Sequence, residues 1–235
     1  MSSTIAAKTW LKLGSLPVLL VVLTITTGLI DAVSVLGLGR VFTANMTGNI
    51  VFLGFALAGV PGFSPYRSLT ALAAFLVGAI GGGRLGARLD ASRRRWFFTV
   101  AFVESSLFFA AALVARGYDG ERLAPVVQLY TLIALTALAM GVRNATVRRL
   151  AVPDLTTTVL TLTLTGLGAD SSLAGSSNQR WRRRVASIAA MLGGAIVGGL
   201  LVLRGGLGVP LLLTGAITLI ATVIYLVYPV AGEQP

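Results

Sequence analysis

The chain has 235 residues, 55% of them hydrophobic and only 11% charged, with a mean hydropathy of +0.87; a soluble domain carries about a quarter charged residues. It holds no cysteine and no histidine, which excludes disulfides, thiolate chemistry, Cys/His metal centres, haem ligation and histidine acid–base catalysis, so no cofactor and no metal is expected. The net charge of +11 does not point to nucleic acid, because the arginines border apolar runs instead of forming a soluble basic face.

Eight apolar segments follow one another, roughly 15–37, 41–60, 68–89, 96–115, 123–142, 155–169, 185–203 and 207–228. Most have the length that crosses a ~30 Å hydrocarbon core. The runs are continuous, unlike the short alternating strands of a membrane β-barrel. The first, within KTWLKLGSLPVLLVVLTITTGLI, starts like a signal peptide but is too long and ends in Asp31. It is expected to stay as a first span. Along it, Thr24, Thr27, Asp31 and Ser34 fall on one helical face.

The second segment opens on RVFTANMTGNI, with Asn45, Thr47, Gly48 and Asn49 where a membrane chain is usually most apolar. A backbone break inside hydrocarbon is tolerated only where protein or water satisfies its polar groups. The asparagines and Thr47 can supply those bonds, and Gly48 allows close backbone approach. A half-helix starting here would aim N–H groups and a positive dipole end into the membrane. The competing reading makes Asn45 and Asn49 simple ties between helices.

The third segment contains GGGRLG, a literal G-x-G-x-x-G. No strand precedes it, so a dinucleotide site is rejected. Gly78 and Gly82 form GxxxG, as do Gly194 and Gly198 in segment seven, and both segments are expected to make close contacts near the centre of the fold. The fourth carries Glu104, read as solitary. Arg143 and Asn144 end the fifth, followed by Arg148 and Arg149. The sixth, DLTTTVLTLTLTG, is again polar, with Thr156 and Thr157 near its start; Asp154 or Thr156 can cap a helix after Pro153. The sequons at Asn45 and Asn144 are sequons by letter only.

The chain repeats itself. AAFLVGAIGGG at 73–83 matches AAMLGGAIVGG at 189–199 in eight of eleven positions, an offset of 116. Upstream, Gly28-x-x-Asp31-Ala32 aligns with Gly141-x-x-Asn144-Ala145, an offset of 113. This gives one membrane domain over 1–235 with half-repeats 15–115 and 123–228. If all eight segments crossed, Lys and Arg would divide nine against ten; if segments two and six dip in and return, they divide fourteen against five. Cytoplasmic loops collect Lys and Arg, and Trp10, Trp96 and Trp181 fall on that same side as interfacial anchors. The expected fold is an all-α integral membrane protein: two inverted repeats, about six transmembrane helices plus two re-entrant or broken segments, both termini cytoplasmic. Against this, 41–60 is long enough to cross outright.

GLIDAVSVLGLGRVFTANMTGNIVFLGFALAG resembles the YoaK-type family of bacterial inner-membrane proteins, a domain-of-unknown-function family. Gly28, Asp31, Ala32, Ser34, Asn45, Thr47, Gly48 and Asn49 carry the likeness in the first half. In the second half Arg143, Asn144, Ala145, Arg149, Pro153, Asp154, Leu155, Thr156 and Thr157 carry it. The resemblance covers nearly the whole chain and implies a bacterial membrane protein of about six spans. It implies no substrate, reaction or site.

A carboxylate at membrane depth costs several kcal/mol unless paired or protonated. Asp31 therefore either carries a coupling proton or contacts a solute, or it is a fixed partner of Arg143 or Arg40. An acid in one half facing Arg143 in the other would suit a gate or an anion site. Arg93–Arg95 and Arg182–Arg184 read as topology signals, with anionic lipid as the alternative partner. The leading expectation is a transporter or channel for a small polar or anionic solute at the interface of the repeats. Asp31, Ser34, Asn45, Thr47, Gly48, Asn49, Arg143, Asn144, Thr156 and Thr157 are the candidate binding or coupling residues. A membrane scaffold or regulatory subunit is the alternative; an intramembrane enzyme would have to rely on Asp31, Asp154 or Asp170, with no motif placing a nucleophile beside a base. The oligomeric state is left open.

Overall fold

In the computed structural model, which describes residues 15–152, 155, 157, 158, 160–175 and 180–228, helices follow the apolar segments with their ends set by local chemistry. They are α1 (Leu16–Gly37), α2 (Met46–Leu57), α3 (Pro65–Arg88), α4 (Arg93–Val114), α5 (Val126–Leu150), α6 (Thr161–Ala169), a 3-10 turn (Ser172–Ala174), α7 (Trp181–Gly205) and α8 (Gly208–Val227). Ser15 and Ser64 are extended N-caps, each followed by a proline in the first turn, where the missing N–H costs nothing. Ser92 caps α4 by accepting from the Arg95 N–H. No strand occurs among the described residues.

Six helices, α1, α3, α4, α5, α7 and α8, are long and apolar enough to cross a membrane. The chain is a multi-pass, all-helical integral membrane protein. By contrast, α2 has 12 residues and α6 has 9. At 1.5 Å per residue these reach about 18 and 14 Å, short of the ~30 Å core. Segment 41–60 is therefore interrupted: its helix starts only at Met46 and stops at Leu57.

Each short helix leaves and returns at a single end of the bundle, α2 at one end and α6 at the other. After α1 the chain turns at Gly39 (φ +78°), where a Cβ would fall 1.8 Å from Arg67 Nη1 of α3. The Arg40 guanidinium lies over the Phe63 ring at 5.8 Å. So the end of α1 and the start of α3 meet. Tyr118, in the loop before α5, donates to the Gly37 carbonyl at 2.9 Å; burial pushes its phenol up to about 12, which keeps it a donor at ordinary pH. At the opposite end, Leu155 packs with Val147 of α5 and with Leu16, Leu19 and Leu20 of α1. Arg184, in the first turn of α7, donates to the Gly166 carbonyl of α6 and to Asp170.

Glycine faces seam the helices together. A Cβ on Gly194 would lie 2.0 Å from the Ile25 carbonyl oxygen, and one on Gly28 would lie 2.3 Å from that of Met191. The same seam joins α3 and α5: a Cβ on Gly78 would lie 2.1 Å from the Leu138 carbonyl, and one on Gly141 would lie 2.2 Å from that of Phe75. Along each seam residue numbers rise together, so α1 runs parallel to α7, and α3 to α5. The other helix pairings are α4 with α8, α4 with α5, α1 with α8, α2 with α3, α6 with α7, α7 with α8 and α3 with α4. Exchanging α1 with α5, α2 with α6, α3 with α7 and α4 with α8 leaves this pattern unchanged.

Two expectations need correction. The GxxxG helices α3 and α7 do make backbone-close contacts, but with α5 and α1, and they lie at the outside of the bundle. Leu76, Val77 and Ile80 of α3 and Leu192, Ile196 and Val197 of α7 stay exposed, as lipid-facing residues do. The most buried spans are α1 and α5. Second, α5 does not end at 142 but continues through Arg143 and Asn144 to Leu150, because the charge of Arg143 is met by partners on other helices.

A substitution Gly194→Leu should overpack the α1–α7 seam, costing about 1–3 kcal/mol or more. Gly193→Leu, where a side chain meets open space, should leave stability unchanged. Thermal unfolding of the two variants in detergent checks this.

Candidate functional site

Arg143 is almost fully buried in the bundle and all its donor groups are occupied. Its Nε donates to Glu104 Oε1 of α4 at 2.7 Å, and Nη2 donates to the same oxygen and to Thr218 Oγ1 of α8 at 3.0 Å. Nη1 donates to the Leu23 carbonyl at 3.0 Å, Thr26 Oγ1 at 2.8 Å and Thr27 Oγ1 at 3.1 Å, all on α1. The Phe108 ring lies 6.0 Å from the guanidinium carbon. The acid facing Arg143 from the other half of the chain is therefore Glu104, which is not solitary, and Asp31 is not the partner. With every donor taken, Arg143 offers no anion site. The space beside this knot amounts to about 20 Å3, no more than one water.

The polar groups left for a solute lie outside this knot, in a cleft of about 490 Å3. Asp31 of α1, Asn45, Thr47 and Gly48 at the start of α2, Thr158, and Thr161 at the start of α6 all line it. One Asp31 carboxylate oxygen is shielded and has no hydrogen-bond partner among the described residues. Asn45 is the N-cap of α2, its Oδ1 accepting from the Gly48 N–H at 3.5 Å. Leu160 precedes α6 without a side-chain cap. Both short helices thus bring N-termini, with N–H groups lacking intrahelical partners, to the wall holding Asp31.

A second cleft of about 780 Å3 is lined by Asn144, Arg148 and Ala151 of the α5 end, Phe75 and Ala79 of α3, and again Thr158. Asn144 stands 113 residues after Asp31, and Thr158 stands 113 after Asn45. Here the counterparts are joined: Thr158 Oγ1 donates to Asn144 Oδ1 at 2.6 Å, and Asn144 Nδ2 donates to the Met140 carbonyl at 2.8 Å. Thr158 lines both clefts.

The remaining candidates have other duties. Ser34 donates to the Asp31 carbonyl at 3.1 Å on its own helix and does not line the cleft. Asn49 is buried and closes the turn before α2: its Oδ1 accepts from Phe42 N–H at 2.9 Å and its Nδ2 donates to the Phe42 carbonyl. Its role is structural, but it ties the turn to its own helix and not one helix to another as the competing reading had it. Thr157 is buried at φ +59°, its hydroxyl without a partner among the described residues, and lines neither cleft. Thr156, with Pro153 and Asp154, lies outside the described residues. Thr24 and Thr27 return hydrogen bonds to carbonyls of α1, so the polar stripe divides: Thr27 faces Arg143 and Asp31 faces the cleft. Among the arginine clusters, Arg184 is buried against α6 and is not a surface signal.

Sequence reasoning missed Thr158, Phe42, Phe52 and Met191 as cleft residues. The offset of 113 carried the signal for Thr158, since it maps onto Asn45. The aromatic residues carried none, because a phenylalanine in an apolar run looks like any other.

The chain belongs to the family described as "Protein of unknown function (DUF1275)", which matches residues 19–225. It is similar to the "UPF0700 transmembrane protein YoaK" of Bacillus subtilis (strain 168), 34% identical over 157 residues, 66% of this chain and 66% of the relative. The alignment thus spans just under two thirds of that relative's length. No solved structure matches. The likeness seen in the residues around Asp31 and Asn45 is that of the family itself.

Removing one member of the buried ion pair leaves the other uncompensated, at about 3–5 kcal/mol. Glu104→Leu and Arg143→Met should each lower the unfolding temperature strongly, and the double variant should be less destabilised than either. Thermal denaturation of the four proteins in one detergent measures this coupling.

Proposed function

We propose that the protein is a transporter or channel of the bacterial cytoplasmic membrane, moving a small polar solute along the path formed by the two clefts. The observation carrying this reading is their meeting at Thr158, with the unpartnered Asp31 oxygen on one side. Broken helices whose N-termini face a cavity at the junction of two halves recur in membrane carriers. The first cleft draws on both halves, with Asp31 and Asn45 from one and Thr158 and Met191 from the other. The anionic variant of the expectation loses its guanidinium, because Arg143 is held by Glu104.

We read 15–115 and 123–228 as inverted repeats. The pairing pattern supports this, as do the opposite directions of counterparts: α1, α4 and α7 run one way, and α3, α5 and α8 the other. Arg84, Arg88, Arg93–Arg95, Arg148, Arg149, Arg180 and Arg182–Arg184 gather at the end where α1 starts, against Arg40, Arg67, Arg116, Arg122 and Arg204 at the other. That asymmetry favours both termini in the cytoplasm, and the exposed arginines there suit anionic lipid phosphates.

A membrane scaffold without transport is the second reading, favoured by the saturated contacts of Arg143. An intramembrane enzyme has the least support. Ser34 is turned to its own helix and Asp170 is held by Arg184.

The chain has no cysteine, so single cysteines report topology cleanly. Gly59→Cys, after α2, should react with an impermeant maleimide from the outer face, and Leu173→Cys from the cytoplasmic face. Reaction of both from one face would overturn the inverted arrangement.

Proteoliposomes should pass at least one of glycine, urea, methylammonium chloride or potassium acetate faster than empty liposomes, followed by stopped-flow light scattering. Thr158→Phe, which fills the meeting point of the clefts, should slow that flux about tenfold, about 1.4 kcal/mol of barrier. Wild-type protein that passes none of the four leaves the scaffold reading in place; flux unchanged in Asp31→Asn and Asn45→Ala removes those residues from the path.

A further inference from the structure

Among the described residues, Asp31 is the one charged side chain lining the first cleft. Its shielded oxygen lacks a donor, a costly condition for a polar atom at membrane depth. Asn45 and Thr47 line the same cleft, yet neither bonds to it. The N-termini of α2 and α6 favour negative charge in this space, and the negative group already present is Asp31.

Part of the cleft lining is aromatic and soft. Phe42 and Phe52 both line the cleft, with ring centroids 5.6 Å apart and planes inclined by 14°. Met191 also lines the cleft. Aromatic faces attract cations, most strongly where water is excluded. Two basic residues weighed as partners of Asp31 are engaged elsewhere: Arg40 lies over Phe63, and Arg143 is held by Glu104.

We infer that the cleft binds a small organic ammonium, its N–H groups donating to Asp31 and its charge resting against Phe42 and Phe52. The inference builds on the transport reading and narrows its solute to a cation. A carboxylate, an aromatic face and a volume of about 490 Å3 suit a compact amine and disfavour a lone anion, which would meet Asp31.

The test uses the full chain, purified in detergent, with calorimetric titration of methylammonium chloride and ethylammonium chloride against sodium chloride and sodium acetate. Both ammonium salts should bind and both sodium salts should not. Asp31→Asn, nearly isosteric, should weaken ammonium binding about tenfold or more, the scale of a lost charged hydrogen bond. Phe52→Leu should weaken it about two- to fivefold. Unfolding temperatures of the variants separate lost binding from lost fold. Acetate binding, ammonium affinity unchanged in folded Asp31→Asn, or no ammonium binding by folded wild-type protein would each overturn the inference. Ammonium binding without flux in proteoliposomes would overturn transport alone, and flux of an uncharged solute or an anion without ammonium binding would overturn the ammonium site alone.

Discussion

One buried guanidinium orders the rest of the molecule. Arg143 has to find acceptors for a planar set of N–H donors inside a bundle that offers no water. It finds them on α1, α4 and α8 while standing on α5. Lone desolvation of an arginine or a glutamate would cost several kcal/mol. The pair is tolerable because the threonines of α1, whose hydroxyls already donate backward to Leu23, present their lone pairs to it. Four helices are fixed relative to one another by that demand. The outer helices α3 and α7 then attach through glycine seams, and α2 and α6 attach mainly to α3 and α7.

This hierarchy decides where function can reside. The centre is tightly packed and the donors of Arg143 are spoken for, so the larger spaces lie between the core and the short helices. Glycine seams bring backbones into direct contact and resist sliding, since main-chain atoms on either side have no rotamers to adjust. The half-helices lack such anchoring. Exposed Ile50, Val51 and Leu57 mark α2 as an element packed on one side only. Any motion that opens or shuts a cleft therefore falls first on α2 and α6.

Much of this architecture was legible in the residues. The six spans, the interruptions at Asn45 and after Leu155, and the close seams at Gly78, Gly82, Gly194 and Gly198 follow from length, polarity and spacing. The partners in those seams were not legible, because a small-residue stripe states how close a helix can come without naming which helix arrives. Glu104 was overlooked as the partner of Arg143 for a related reason: a contact across 39 residues leaves no periodic trace. Asp31, Asn45, Thr47 and Gly48, candidates from the sequence, line one cleft. Ser34 and Asn49 were included with them by proximity, yet one bonds to its own helix and the other to the turn it closes. Local side-chain-to-backbone bonding of this kind competes with every functional assignment of a serine or an asparagine.

The two clefts occupy matching places but are not chemically equivalent. At the position of Asp31, with its unpartnered oxygen, the second half has Asn144, an amide bonded to Thr158 and Met140. An amide can satisfy itself with a neighbouring hydroxyl and a carbonyl. A carboxylate can only accept, so any partner must bring a donor. The substitution of one residue type for the other at equivalent points thus separates the clefts in kind. In one the polar side chains satisfy each other, and in the other an acceptor has no donor among the described residues. A pair of identical amides would have left no unmet acceptor, and a pair of carboxylates would have placed two unmet acceptors on either side of Thr158. The asymmetry leaves an unmet acceptor on the Asp31 side and an internally satisfied amide on the Asn144 side.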